Sequence, residues 1–446
     1  MIADFESCVK YLYNIPFFLK DENNRSKSGN ENLSVLMNEL SDPQKEIKCI
    51  HIAGTNGKGS VANFIKCILK EKGYTAGIFT SPHLMNIRER IMIDALISEE
   101  DFLECFNRVL NAEETILNKG FGHISYFEFL FAMAAVYFAK EKPDYVIYET
   151  GLGGRLDATN LIIPEISVIT SIGLDHMQYL GDSIELIAGE KAGIIKDGIP
   201  VVYNTGEESA DIVISKAAKT HNSKEINVAK TKYIINNISD KTIDFSIING
   251  YYRYDNLEIK TTAAYQVDNA ITAIEACNEL FIRDGIIKED IIKKALLNFY
   301  WPGRMEYVYP NVVIDGAHNE DAIKRFIETV NKVYGDKKTE ILFAVCEDKD
   351  YEPMIKLLCD NLCISKLYVT AINSARAASP NLVADLFKKR LDKNASADII
   401  VDNDMKKVFK NAVSNVINKE DTMLFAVGSL YLAGSIKQII MEAKDD

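Results

Sequence analysis

The sequence has no excess of positive charge. Its 446 residues carry 51 Lys and Arg against 64 Asp and Glu, a net charge of −13. A general nucleic-acid or membrane-surface binder needs a basic face to neutralise phosphates, so neither partner is expected. A few cations in one cleft would still serve an anionic small molecule. Long apolar runs are also missing. The most apolar stretch, "FEFLFAMAAVYFAK", is interrupted by Glu128 and is too short for a bilayer span. The start, "MIADFESCVK", carries acids and no cationic segment ahead of an apolar core. No signal peptide is therefore expected, and the expected location is the cytoplasm. The eight cysteines are scattered. Cys359 and Cys363 have no histidine or second cysteine pair beside them, which favours reduced thiols over a metal site. No internal repeat or low-complexity tract is visible, and "DENNRSKSGNEN" (21–32) reads as a polar loop.

What is present is a large apolar fraction, 47% of residues, enough to bury sizeable cores. The chain alternates between short apolar runs and helical periodicity. "KCIHIAG" reads as a buried strand and "GSVANFIKCILKEKG" as a helix stopping at Gly73. Further strands are expected at "TAGIFTS", "DYVIYET", "ISVITSI" and "PVVYN". Helices are expected near 98–117, 126–141 and 184–196. This alternation implies a mainly parallel sheet covered by helices. Residues 224–262 differ: apolar and polar residues alternate around an Asn-Gly pair at 249–250, which suggests hairpins. Helices are expected again at 266–282 and 287–298. A second alternating series begins after "WPGRME", with strands "NVVIDG", "EILFAV", "KLYVTAI", "ADIIVD" and "TMLFAVGS". The expected division is near residue 300, giving domains 1–299 and 300–446.

"HIAGTNGKGS" (51–60) joins a strand to a helix. It resembles a phosphate loop, but its spacing departs from G-x-x-x-x-G-K-[ST]: Ile52 stands in place of the first Gly, and Gly59 follows Lys58. In such a loop, consecutive N–H groups and a helix N-terminus face the anion. Three further segments end strands with polar groups: Ser81 in "FTSPHL", Glu149 with Arg155 and Asp157 in "YETGLGGRLDATN", and Asp175 with His176 in "TSIGLDHMQYLGDS". Ligands of open parallel sheets sit beyond such ends. A hydroxyl, a carboxylate and an imidazole gathered there suit a divalent cation that bridges nucleotide phosphates. Read singly, each has a plainer role as a cap, a packing group or a solvated charge. Arg304, Asp315 and His318, in "PGRME" and "VVIDGAHN", suit either nucleotide contact or interdomain packing.

Taken in order, "HIAGTNGKGSV", "FTSPHL", "ISYFEF", "ETGLGGRLDATN", "SIGLDHMQYLGDSIELIAGEKAGIIK", "PGRME", "DGAHN" and "GSLYLAGSI" resemble the folylpolyglutamate synthase/dihydrofolate synthase family, a branch of the Mur ligases. The resemblance runs from about residue 33 to 436. It implies an α/β, Mur-ligase-like fold: a P-loop ATPase domain with a mainly parallel sheet, and a smaller Rossmann-like C-terminal domain that handles glutamate. It implies that ATP activates a carboxylate as an acyl phosphate, which the amine of L-glutamate then attacks. The acceptor is dihydropteroate or a reduced folate. By position, Gly54, Thr55, Asn56, Gly57, Lys58, Gly59 and Ser60 would hold phosphates, and Asn269, Arg304 and Asp315 would contact ATP. Ser81, Glu149 and His176 would bind magnesium. Lys191 matches a lysine that is carbamylated in the family and assists a second magnesium. His318 and Ser429 would lie near the incoming glutamate. Tyr126, Phe127, Glu128, Leu156, Asp157 and Ala158 match segments that bind dihydropteroate. Lys58, His176, Lys191 and His318 are the expected catalytic groups. A monomer working on small molecules is expected. A cell-wall Mur peptide ligase is the competing enzyme, but "GLGGRLDATN" and "DHMQYLG" suit the folate branch. A nucleotide-binding switch would leave His176, Lys191 and the second domain without a task.

Overall fold

A computed structural model of the chain describes residues 2–16, 30–374, 376–391 and 398–445. Two compact units form. One takes residues 1–234, 246–257 and 268–299; the other takes 235–245, 258–267 and 300–446.

The spine of the first unit is an eight-stranded sheet. Its strands are β1 (Cys49–Ala53), β2 (Ala76–Phe79), β3 (Ile91–Ile93), β4 (Ala95–Leu96), β5 (Tyr145–Glu149), β6 (Ile166–Ile169), β7 (Val201–Tyr203) and β8 (Glu225–Asn227). They lie in the order β4-β3-β2-β5-β1-β6-β7-β8. From β2 to β8 the neighbours run parallel, while β3 and β4 add an antiparallel edge. β1, β5 and β6 are buried along their whole length, as strands covered on both faces must be. The direction of strand addition reverses around β1. The chain passes to β2, inserts β5 beside β1, then crosses to β6 on the other side. Such a reversal opens a crevice past the carboxyl ends of the strands.

The helices are α1 (Phe5–Asn14), α2 (Glu31–Glu39), α3 (Lys58–Glu71), α4 (Glu99–Asn118), α5 (Tyr126–Glu141), α6 (Met177–Leu180), α7 (Ile184–Ala192), α8 (Glu208–Thr220), α9 (Tyr265–Leu280) and α10 (Glu289–Leu297). One core gathers Phe102, Phe106, Phe129 and Phe131 from α4 and α5 with residues of α1 and α2. Another sets Ile187 and Ile214, from α7 and α8, against Ile169 and Val201. Each such buried side chain contributes about 1.5–3 kcal/mol.

The segment expected to form hairpins, 224–262, does so from Lys232 onward, while Glu225–Asn227 instead forms the parallel strand β8. β9 (Lys232–Ile238), β10 (Ile243–Ile248) and β11 (Arg253–Ile259) make a three-stranded sheet. Its turns are closed by Ser239 N–H to Thr242 O and by Asn249 N–H to Tyr252 O.

In the second unit, β12 (Glu306–Tyr309), β13 (Val312–Ile314), β14 (Lys338–Phe343), β15 (Ile364–Val369), β16 (Asp398–Val401) and β17 (Thr422–Val427) lie in the order β12-β13-β17-β14-β15-β16. Only β12 is antiparallel to its neighbour. The helices are α11 (Glu320–Tyr334), α12 (Tyr351–Asn361), α13 (Pro380–Leu391), α14 (Met405–Val416) and α15 (Leu430–Asp445). Phe326, Phe343, Phe387 and Phe425 anchor its core.

The helix expected over 184–196 ends at Ala192: Arg155 N–H takes the Glu190 carbonyl at 2.7 Å, and Ile194 N–H bonds Lys191 O instead. The polar loop expected at 21–32 lies outside the described residues except for Asn30–Asn32, where α2 begins. Among the described residues no helix is long and apolar enough to cross a membrane. All eight cysteines are free thiols.

Candidate active site

β1 ends at Ala53 and the chain enters α3 at Lys58. The loop between them requires two glycines. A Cβ on Gly54 would lie 1.8 Å from Thr170 Oγ1. Gly57 has a φ of 86°, and a Cβ there would lie 2.5 Å from Asn269 Oδ1. The close fit puts Asn269 of α9 directly beside the phosphate loop. Hydrogen bonds stitch the loop to the segment after β6: Thr55 N–H to Ser171 O at 2.7 Å, Thr55 Oγ1 to Gly173 O at 3.1 Å and Thr170 Oγ1 to Asn56 O at 2.7 Å. Gly57 offers α3 no side-chain cap. The first-turn N–H groups, from Lys58 to Ser60, are thus arranged to meet an anion.

Lys58 Nζ donates to Gly54 O at 3.1 Å and Thr55 O at 3.2 Å, and lies 3.9 Å from Glu149 Oε1. Glu149, buried at the end of β5, accepts the Ser81 N–H through its other oxygen at 3.2 Å. Two expected metal ligands therefore meet. Lys191 arrives from α7 and donates to Gly54 O at 2.8 Å. Its ammonium is pushed down to about 7 by burial and then by Lys58, against the pull of Asp175 and Asp157. His176 stands in a left-handed conformation before α6, with its Nε2 3.8 Å from Asp175 Oδ1. Among the described residues no three His, Cys, Asp or Glu side chains cluster as a metal cage. That donor set suits magnesium, which takes one or two carboxylates and draws its other oxygens from phosphates and water. It would not suit a structural zinc site.

The expected acceptor-binding residues sit on two neighbouring features. At the start of α5, the Glu128 carboxylate accepts the Ser125 N–H at 2.6 Å in a reciprocal cap. Glu128 thus has a structural duty that the sequence reading did not assign it. Tyr126 is buried, stacks on Tyr13 at 6.2 Å and carries the Arg90 guanidinium over its ring at 5.5 Å. Phe127 lies 5.5 Å from Phe79, centroid to centroid. In the loop after β5, Leu156 is exposed while Asp157 and Ala158 are buried. Asp157 Oδ2 accepts Leu152 N–H at 2.8 Å, and Oδ1 accepts Thr159 N–H at 3.0 Å. Burial pushes the Asp157 carboxyl up despite these donors.

His51, in the middle of β1, was overlooked by the sequence reading. It is wholly buried, and its Nε2 lies 2.8 Å from Thr159 Oγ1. Burial, with Lys196 nearby, pushes the imidazole down from 6.5 to about 3. The unfolded chain therefore takes up this proton first. Stability is fully present above pH 6.5 and is lost as pH falls towards 3. Between pH 6.5 and 5, His51 alone is expected to cost about 2 kcal/mol. Urea unfolding at both pH values checks this: His51→Gln should flatten the decline by that amount, and an unchanged slope would refute it.

In the second unit, Asp315 is buried past β13. Its Oδ2 accepts Met305 N–H at 2.8 Å and Tyr265 OH at 3.1 Å, and its Oδ1 accepts Ala317 N–H at 2.8 Å. Burial pushes its carboxyl up and Arg304 opposes this most strongly. His318 Nδ1 lies 2.8 Å from Gly316 O. Ser429 is buried just ahead of α15 and accepts Tyr431 N–H at 3.1 Å. Arg304 and Asp315 thus belong to one cluster at the β13 end.

Residues 52–277 match the family described as the Mur ligase middle domain, and residues 303–429 the Mur ligase glutamate ligase domain. A dihydrofolate synthase/folylpolyglutamate synthase of Bacillus subtilis is 38% identical over 74% of this chain and 79% of its own length. A folylpolyglutamate synthase of Lacticaseibacillus casei is 30% identical over 99% of this chain and 100% of its own. Among solved structures, the folylpolyglutamate synthase of Thermotoga maritima superposes with a TM-score of 0.83 at 28% identity, covering 99% of this chain and 98% of that one. That of Mycobacterium tuberculosis, complexed with ADP and AMPPCP, gives 0.87 at 25% identity, with 98% of both chains covered.

Proposed function

This chain belongs to the Mur ligase family, in its folylpolyglutamate synthase/dihydrofolate synthase branch, and we propose that it joins L-glutamate to reduced folates and to dihydropteroate with ATP. The observation that carries the chemistry is the phosphate loop: Gly54 and Gly57 bring the backbone close, and Lys58 stands 3.9 Å from the buried Glu149. ATP is the nucleotide because relatives bind ADP and AMPPCP.

The acceptor carboxylate must attack the γ-phosphorus, and two anions repel. Lys58 and the α3 N-terminus offset that repulsion and hold the phosphates in line. The carboxylate oxygen bonds to phosphorus, and ADP leaves. The glutamate amine then attacks the acyl carbon, and inorganic phosphate departs with the bridging oxygen. His318 and Ser429 are assigned to the incoming glutamate, and Arg304, Asp315 and Asn269 to the nucleotide. Ser81, Glu149 and His176 would hold one magnesium ion, and Lys191, as a carbamate, would support a second. When bound, such ions would supply positive charge against the phosphate oxygens. Acyl phosphates hydrolyse in water, so the site has to exclude water until the glutamate amine attacks. Phosphate release is expected only when ATP, a pterin acceptor and glutamate are all present. Rapid release with ATP alone would mark a nucleotide-binding switch and overturn the reading.

A further inference from the structure

Asp157 is not held by backbone alone. Thr159 Oγ1 lies 2.5 Å from Asp157 Oδ1 and 2.8 Å from His51 Nε2. The three side chains form a buried line from the centre of β1 to the loop after β5; His51 and Thr159 are wholly inaccessible and Asp157 nearly so. A hydroxyl has one proton to give. Asp157 Oδ1 already accepts the Thr159 N–H, and Oδ2 accepts the Leu152 N–H. The carboxylate is therefore the acceptor, and the Thr159 hydroxyl donates to it. The Thr159 oxygen must then accept, so His51 carries its proton on Nε2. His51 Nδ1 is buried with no partner among the described residues. That fits the assignment, since a bare lone pair is better tolerated there than an orphaned N–H. Lys196 works in the same direction. It is fixed on the Asn160 carbonyl at 3.0 Å and the Asn160 side-chain oxygen at 2.8 Å, and its charge opposes any second proton on His51.

We propose that His51 and Thr159 are positioning residues for acceptor binding, forming a one-way relay from His51 Nε2–H through the Thr159 hydroxyl that holds Asp157 as an oriented, ionised hydrogen-bond acceptor. The ligand this favours is a heterocycle that presents N–H donors, as a pterin does. The proposal rests on the reading that Asp157 contacts the acceptor substrate. Neither His51 nor Thr159 touches the reacting atoms. Their loss should weaken acceptor binding and leave the chemical step almost intact.

The test compares steady-state constants for His51→Leu, His51→Gln, Thr159→Val and Asp157→Asn with saturating ATP and glutamate and varied dihydropteroate. Losing the Thr159 hydrogen bond to the charged Asp157, or the His51 bond that orients it, should raise the acceptor KM about tenfold in Thr159→Val and His51→Leu, with kcat within about threefold. The KM for ATP should stay unchanged. His51→Gln, whose amide can donate to Thr159, should restore most of the affinity. If Asp157→Asn raises the acceptor KM but His51→Leu and Thr159→Val do not, the relay is wrong and the substrate reading stands. If Asp157→Asn has no effect, the underlying reading fails. A second measurement needs no stable Leu variant. In the wild-type protein with isotope-labelled histidine, the magnetic-resonance signals that vanish in His51→Gln should report a neutral ring protonated at Nε2. They should not titrate between about pH 5 and 8. A proton on Nδ1, or titration in that range, would overturn the relay.

Discussion

Replacing Lys58 by alanine is expected to slow glutamate ligation by about a hundred- to a thousandfold, the usual consequence of removing a preorganised charge from developing phosphoryl chemistry. The fold should survive. Lys58 is the first residue of α3, and alanine is the best helix former. Among the described residues its ammonium contacts the Gly54 and Thr55 carbonyls and the edge of Glu149. Those carbonyls lose little, because Lys191 also serves Gly54 and water can reach the loop. Steady-state rates, read beside circular dichroism and thermal unfolding, separate the two effects. A folded variant with normal turnover would remove the phosphate-loop assignment.

Lys191→Ala is expected to lose activity on a similar scale and to regain part of it when a short carboxylic acid is added. The amine is buried and its proton affinity is lowered to about 7. Below about 7 the group is an ammonium and cannot add carbon dioxide; above it, a neutral amine is populated. Carbon dioxide would then add to nitrogen with release of a proton, giving an anion with two oxygens. A hard cation prefers such oxygens to an ammonium, which it repels. An added acid would supply the oxygens that alanine lacks. Wild-type activity should also rise with bicarbonate above neutral pH. Full activity of Lys191→Ala in bicarbonate-free buffer would leave the carbamate without a role.

The segments most legible in the sequence are those with local signals. The phosphate loop, the ends of β2, β5 and β6, and the "PGRME" and "DGAHN" segments are each a few residues long, and all sit past strands or between strand and helix. α1 was also within reach: Asp4 caps it, and Phe5, Cys8 and Leu12 share one face. β3 and β4 were not, since three and two residues make no periodic pattern. The overrun of α7 has a tertiary cause. Ile194 and Ile195 are buried and continue the apolar pattern, but the Arg155 N–H takes the Glu190 carbonyl and the helix stops first. The His51–Thr159 bond joins positions 108 residues apart and leaves no local trace. Glu128 shows the opposite case: Ser125 followed by Glu128 is a local cap signal legible in the sequence, and the structure forms that cap.

A carboxylate is expected to be activated by phosphoryl transfer before glutamate is joined to it. The most direct measurement uses an acceptor whose carboxylate carries heavy oxygen at both positions. The wild-type enzyme is supplied with ATP and glutamate, and the released phosphate is weighed by mass spectrometry. An acyl phosphate requires one labelled oxygen in each phosphate and one retained in each new amide. Phosphate that carries no label, released in step with product, would contradict the account.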